Sequence, residues 1–412
     1  MMVPRGKNLP VKHPLNGTAW PMVKRGSNMS AIKQPNRLLI EPNIPNRLLM
    51  GPGPSNMTAE IRRSQSQSLL GHLDPNFLKI MDDVKEGLRY AFQTNNALTF
   101  AISGTGHAGM ECALINLLER GDKLLVLESG IWGTRAADLG DRLGLSVVKV
   151  TSPLGEPVVL DAIKEAIEKH HPKVVFVCHG ESSTGVCQPL EGIGPLCHKH
   201  GALFLVDTVA SLGGAPFDAD KSEVDCVYSA TQKVLNAPPG MSPISFSARA
   251  VESMRARHQR IASFYFDAFE IGNYWGCFDE PRRYHHTAPI STVYALHAAL
   301  SALVKEGLQA SVDRHRANAN LFYKLLEEAN LRNFIAKTEW RLPCLTTICV
   351  PDGVKWNVVQ ADMLMKGIEI AGGLGPTVGK VWRVGTFGAN CTRENIERVV
   401  SELRKSIEVA QR

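Results

Sequence analysis

Short apolar runs at 123–127, 146–150, 173–178, 202–206 and 226–229 alternate with stretches at 160–170 and 190–200 whose apolar residues recur every three or four positions. The first kind fits strands buried on both faces and the second fits helices with one face in a core. From about 98 to 231 the pattern therefore predicts an α/β fold, a mostly parallel sheet wrapped by helices. After Pro289 the pattern turns helical through 291–306 and on to 328, then gives short strands at 346–350 and 381–384. A closing helix opens at Thr392-Arg393-Glu394-Asn395, where a Thr and a Glu can serve an N-terminus. The expected organisation is a leader at 1–28, an N-terminal arm at 29–45, a large domain at 46–306 and a smaller C-terminal α+β domain at 307–412.

Composition changes this picture little. A chain of 412 residues with 44% apolar and 21% charged residues has the balance of a globular protein with a sizeable core. No apolar run approaches the roughly 18 residues that a membrane helix needs, so no membrane partner is expected. The net charge of +6 is concentrated: residues 1–40 hold seven Lys or Arg and no acid, which leaves the remainder at −1. A body so nearly neutral gives no footprint for nucleic acid. The basic, Pro- and Gly-containing leader fits either a mitochondrial presequence or a plain tail, and Met29 offers a second start. Pro35-Asn36-Arg37-Leu38-Leu39 is echoed at Pro45-Asn46-Arg47-Leu48-Leu49, one echo being too little for a repeat architecture. The nine cysteines form no CxxC pair, which fits reduced thiols, and Cys197-His198-Lys199-His200 lacks a fourth ligand for zinc, so no metal is expected.

Chemistry concentrates just past the strand ends, where ligands bind in open parallel sheets. Ser103-Gly104-Thr105-Gly106-His107 is a glycine-containing turn ahead of a helical stretch at 108–118. Its unpaired N–H groups and the Thr105 hydroxyl suit a phosphate, although such a turn is also an ordinary structural device. Asp207 directly follows the buried run 202–206 and needs a partner there, either a local cap or a cation such as a protonated pyridine nitrogen. Lys233, in Ser229-Ala230-Thr231-Gln232-Lys233, follows the next strand and precedes the chain-breaking Asn236-Ala237-Pro238-Pro239-Gly240. A lysine desolvated there can lose its proton and attack an aldehyde. Trp132, in Gly130-Ile131-Trp132-Gly133, can stack on a flat ring or fill core.

Taken together these motifs resemble the alanine-glyoxylate aminotransferase family, class V aminotransferases of fold type I. The resemblance runs from about Pro45 to Arg404 and includes Gly51-Pro52-Gly53-Pro54-Ser55-Asn56, His179-Gly180-Glu181-Ser182-Ser183-Thr184-Gly185, Val206-Asp207-Thr208-Val209-Ala210-Ser211, Tyr284-His285-His286-Thr287 and Trp382-Arg383-Val384-Gly385. It implies a seven-stranded, mostly parallel sheet sandwiched by helices, and pyridoxal 5'-phosphate as cofactor. By the same resemblance, Lys233 would carry the cofactor as a Schiff base and move the catalytic proton. Asp207 would hold the ring nitrogen protonated, Trp132 would stack on the ring and Ser182 would bond its phenolic edge. Thr105, Gly106, His107, Val209 and Gln232 would complete the cofactor site, joined by Tyr284 and Thr287 from the other subunit of a homodimer. Arg383 would clamp the substrate carboxylate, with Gly53 and Ser182 beside it.

The reaction so implied is ping-pong transamination, with alanine or serine as donor and glyoxylate as acceptor, among amino acids and 2-oxo acids generally. Kynurenine or 3-hydroxykynurenine transamination is the alternative on the same fold. A desulfurase would need a mobile nucleophilic cysteine, for which Cys344 and Cys349 stand in or beside a strand-like run, and a non-enzymatic scaffold would bind no cofactor. The ending Ala410-Gln411-Arg412 differs from the peroxisomal tripeptide common in the family, which with the leader favours mitochondria over peroxisome or cytosol.

Overall fold

The computed structural model describes residues 34–411, and the expectations for 1–28 and Met29 lie outside them. Of the described residues ahead of Asn46, Asn36–Leu39 make a 3-10 turn. In the unit Asn46–Arg412, the second copy of the same five residues contributes the strand Leu48–Leu49, paired in parallel with Ile368–Glu369. Identical sequence thus takes two conformations, because tertiary pairing overrides local preference.

Seven strands build the central sheet: β1 Leu98–Ser103, β2 Lys123–Glu128, β3 Ser146–Thr151, β4 Val174–Cys178, β5 Leu203–Asp207, β6 Cys226–Tyr228 and β7 Met241–Phe246. Their spatial order is β1-β7-β6-β5-β4-β2-β3. β7 runs antiparallel to both its neighbours, and the remaining ladders are parallel. The C-terminal ends of β1, β2, β4, β5 and β6 therefore lie along one edge of the sheet. β4 and β5 are Val, Phe, Leu and Cys throughout until Asp207, and every residue in them is buried, as strands covered by helices on both faces require.

A second layer follows the helix Ile290–Glu306. A three-stranded antiparallel sheet places Val381–Gly385 between Leu345–Cys349 and Ala371–Gly372. The helices Leu308–Glu328, Trp356–Met365 and Arg393–Ala410 cover it, the last capped by Thr392, whose hydroxyl accepts from Asn395 N at 3.2 Å. Its core, with Phe322, Trp382 and Leu403, is separate from the larger cluster around Phe100, Phe176 and Phe204. Met50 belongs to this second core, so 48–50 pack with the C-terminal layer, whereas chain order alone assigns them to the large domain. A third small cluster of Ala210, Val234, Cys344, Leu345 and Phe387 lies between the residues that follow β5 and β6 and the C-terminal layer. One expected helix, 190–200, is shortened to Ile193–Lys199. Among the described residues no helix is long and apolar enough to cross a membrane.

Candidate active site

Register places the first pair of functional groups. Asp207 ends β5, and its in-register partner on the parallel β6 is Tyr228, so both side chains leave the same face of the sheet. The Tyr228 hydroxyl donates to Asp207 Oδ2 at 2.5 Å, and the Val209 N–H donates to Oδ1 at 2.7 Å. Both groups are buried. Burial pushes the Asp207 carboxyl up to about 6, against the pull of these two donors and of Lys233.

The loop after β6 then folds back on itself. Thr231 Oγ1 donates to Pro238 O at 2.6 Å and Ala237 N to Thr231 O at 3.1 Å, so the Pro-Pro-Gly break closes a tight loop around Lys233. The 52–55 segment clamps this loop, with Ser55 N donating to Gln232 O at 2.9 Å and Ser55 Oγ to Lys233 O at 2.6 Å. Lys233 is buried, its Nζ donates to Pro52 O, and the Phe387 ring centroid lies 5.6 Å from Nζ. Gly53 has a left-handed φ of 102°, and a Cβ there would stand 2.6 Å from Lys233 Nζ. Only glycine meets both demands. Desolvation first, and the Arg383 guanidinium second, lower the Lys233 amine to about 8. Roughly a tenth of such amines are unprotonated at pH 7, against about one in three thousand for an ordinary lysine.

The glycine turn after β1 comes to the same place. Thr105 is the N-cap of the helix Gly106–Leu117, yet its side chain makes no capping bond, which leaves hydroxyl and helix N-terminus free for an anion. A Cβ on Gly106 would stand 3.0 Å from Val209 Cγ2 and 3.4 Å from Ala230 Cβ, so this turn is seated against the residues that follow β5 and β6. The Gln232 amide is close by in sequence, and its Oε1 is buried without a hydrogen-bond partner. Turned about, that amide offers N–H to an anion.

The far wall comes from β2 and β4. The Trp132 indole N–H donates to Ser182 Oγ at 2.8 Å, which fixes the ring plane, and His107 meets that ring edge-on at 5.5 Å. Burial first, then Arg135, lower the His107 pKa. Glu181 is buried and accepts from Trp132 N at 3.1 Å and from Ser183 N and Oγ at 3.0 and 2.6 Å; burial raises it to about 7. Arg383, on the central strand of the C-terminal sheet, is buried, with Nε donating to Gly372 O at 2.8 Å and Nη1 to Ser182 O at 3.2 Å. Anchored from behind, its guanidinium keeps further N–H groups for a carboxylate.

Contacts thus run from Gly53 to Lys233, from Lys233 to Arg383 and Asp207, from Arg383 through Ser182 and Trp132 to His107, and from Asp207 through Val209 to Gly106, with Thr105 and Gln232 next in sequence to members of this chain. Tyr284 and Thr287 stand apart: both are exposed, and their hydroxyls lie 3.4 Å from each other. Tyr228, Glu181 and Phe387 were not among the residues expected from sequence. The signal for Tyr228 was available only through register, as the residue beside Asp207 on the next strand. Elsewhere, Cys197 is buried, while His198 pairs with Glu223 and Asp225 at 2.9 and 3.0 Å. A cleft of about 1100 Å³, lined by Cys187, Lys221, Arg316 and Tyr323 among others, lies outside the Lys233 group.

Comparison with known proteins places this geometry in context. The family model described as aminotransferase class-V matches residues 56–399. An alanine–glyoxylate aminotransferase of Oryctolagus cuniculus is 47% identical over 88% of this chain and 93% of its own length. One of Callithrix jacchus is 45% identical over 93% of this chain and 92% of its own length. The crystal structure of alanine–glyoxylate aminotransferase from Nostoc sp. superposes with a TM-score of 0.88 at 43% identity, covering 92% of this chain and all of that one.

Proposed function

Since the chain belongs to the class-V aminotransferases, we propose that it transfers the amino group of alanine, or of serine, to glyoxylate, giving glycine by a ping-pong route. The enzyme is pyridoxal phosphate dependent. The residues fit that cofactor: a buried amine of low pKa, a buried carboxylate with no cation bonded to it, an uncapped helix N-terminus, and an orphaned amide oxygen. Once bound, pyridoxal phosphate supplies an electron sink and carries the amino group between the two half-reactions.

What the chain contributes follows from the geometry. Thr105, Gly106, His107 and Gln232 would receive the phosphate, and Trp132, held flat by Ser182, would stack on the ring. The Ser182 hydroxyl, accepting from the indole, has its own proton left over and would donate it to the ring's phenolic oxygen. Asp207 would face the ring nitrogen as an anion and keep it protonated. Lys233 Nζ would hold the cofactor in the resting enzyme and, when free, would take the proton from the amino acid's α-carbon. Burial, with Arg383 nearby, lowers that amine to about 8, basic enough to accept the proton and weak enough to give it back.

The observation that carries this reading is Arg383, a buried guanidinium anchored by two carbonyls and close enough to Lys233 to depress its pKa. It would fix a substrate carboxylate so that the α-carbon falls within reach of Nζ, and both substrates would use it in turn. The desulfurase alternative lacks its nucleophile: Cys344 is buried, donates to Ala210 O at 2.8 Å and has its thiol pKa pushed well up by burial, while Cys349 is likewise raised.

We place Tyr284 and Thr287 at the phosphate of a partner subunit in a homodimer. Their exposure supports this, as does the exposure of Phe264, Tyr265, Leu69 and Leu73 on the same chain. Single-turnover rates test the substrate assignment: alanine should react faster than 3-hydroxykynurenine, and glyoxylate should yield glycine stoichiometrically. A clear preference for 3-hydroxykynurenine would overturn it.

A further inference from the structure

Asp207 is an anion in the wrong surroundings. It lies at the end of an apolar strand, fully enclosed, and burial is the leading influence on its pKa, raising it to about 6. Two donors oppose that rise. The Val209 N–H is fixed by the turn after β5, and it comes with any residue except proline at that position. The Tyr228 hydroxyl is different, since it is a side chain that another residue type would not supply, and at 2.5 Å it makes the shorter of the two bonds. Tyr228 is itself buried, with its own pKa raised by burial and by Asp207, so it remains a donor throughout the range where a carboxylate titrates.

We propose that Tyr228 is a positioning residue that holds Asp207 ionised and orients its carboxylate toward the cofactor's ring nitrogen. The proposal rests on the reading of Asp207 as the ring-nitrogen partner. With one oxygen bonded to Val209 N and the other to Tyr228 Oη, the carboxylate cannot rotate, and its remaining lone pairs point where the two donors leave room. The other titratable groups around it are Cys178, paired with it on β4, His179, whose backbone N–H donates to Asp207 O and whose imidazole burial lowers to about 4, Glu181 beyond β4, and Lys233 beyond β6. Cys178 stays neutral because burial pushes its thiol well up. Glu181 and Lys233 titrate, but a change at Tyr228 leaves their contacts in place.

The consequence appears in how cofactor affinity depends on pH. Protonated Asp207 cannot pair with a ring cation, so affinity should fall as pH drops through the Asp207 pKa. Removing a hydrogen bond to a buried charge raises that pKa by about one to two units. The experiment measures pyridoxal phosphate affinity of the apoprotein from pH 5 to 9 by fluorescence quenching, for wild type and Tyr228→Phe. The cofactor's phosphate also titrates near pH 6, but equally in both proteins, so the difference between the curves isolates Asp207.

Tyr228→Phe should bind about tenfold or more weakly at pH 5.5, and the two curves should converge above about pH 8.5. A loss that is the same at every pH, or no loss, would overturn the proposal. If wild type itself shows no decline beyond that of the phosphate, the reading of Asp207 fails and the proposal with it. Should Tyr228→Phe not fold, replacement of tyrosine by 3-fluorotyrosine gives a stronger donor of nearly the same shape, and Tyr228 is the tyrosine bonded to Asp207. Its curve should shift to lower pH, and a shift the other way, or none, would count against the assignment.

Discussion

Replacing Lys233 by alanine is expected to lower kcat by roughly four orders of magnitude or more while the chain stays folded. The side chain has two tasks, holding the cofactor and moving the α-proton, and among the described residues the cation beside it is Arg383, a guanidinium already bonded to Gly372 O and Ser182 O. Stability should change little. Lys233 is a buried cation disfavoured by desolvation, and the loop that carries it is fixed by the Thr231 and Ser55 hydroxyls and by the Ala237 and Ser55 backbone N–H groups, bonds that the substitution leaves intact. Turnover under saturating alanine and glyoxylate, beside a thermal melt, checks both statements. Activity within tenfold of wild type would remove Lys233 from the mechanism.

The second large effect is at Arg383. Changing it to lysine should reduce kcat/KM for alanine and for glyoxylate by about 10² to 10⁴, the worth of two hydrogen bonds to a charged group. An ammonium keeps the charge but loses the planar fork, and it cannot both donate to Gly372 O and Ser182 O and present two parallel N–H groups to a carboxylate. Because both substrates carry the same carboxylate, both half-reactions should suffer alike. A loss confined to one substrate would show that Arg383 is not the shared clamp.

Much of this was readable from residue order, and the exceptions have physical causes. The parallel strands were legible because each is a short apolar run ending at a polar residue, as at Val206-Asp207. β7 was not. It contains Pro243, which has no N–H and argues against a central strand, yet β7 sits between β1 and β6 in the sheet interior. Here the Pro243 carbonyl serves instead, accepting from Ser229 N at 2.9 Å. The edge strand Leu48–Leu49 was hidden for another reason: its partner lies at Ile368–Glu369, and a two-residue ladder leaves no periodicity to detect.

At the site, groups supplied by strand-end motifs could be expected from the sequence, and those supplied by register or packing could not. Asp207 and Lys233 announce themselves by following buried runs. Tyr228 looks like any strand tyrosine until its register partner is known, and Phe387 reaches Lys233 from the C-terminal layer with no local sign. Glu181 stood inside a motif of the resemblance, but its task of fixing Trp132 and Ser183 appears only when β2 and β4 are side by side.

The visible spectrum of the purified protein tests the central claim most directly. After loading with pyridoxal phosphate and exhaustive dialysis, wild type should keep a visible absorbance band that alanine bleaches and glyoxylate restores. A protein that loses all visible absorbance on dialysis, or whose band ignores alanine, would contradict the account.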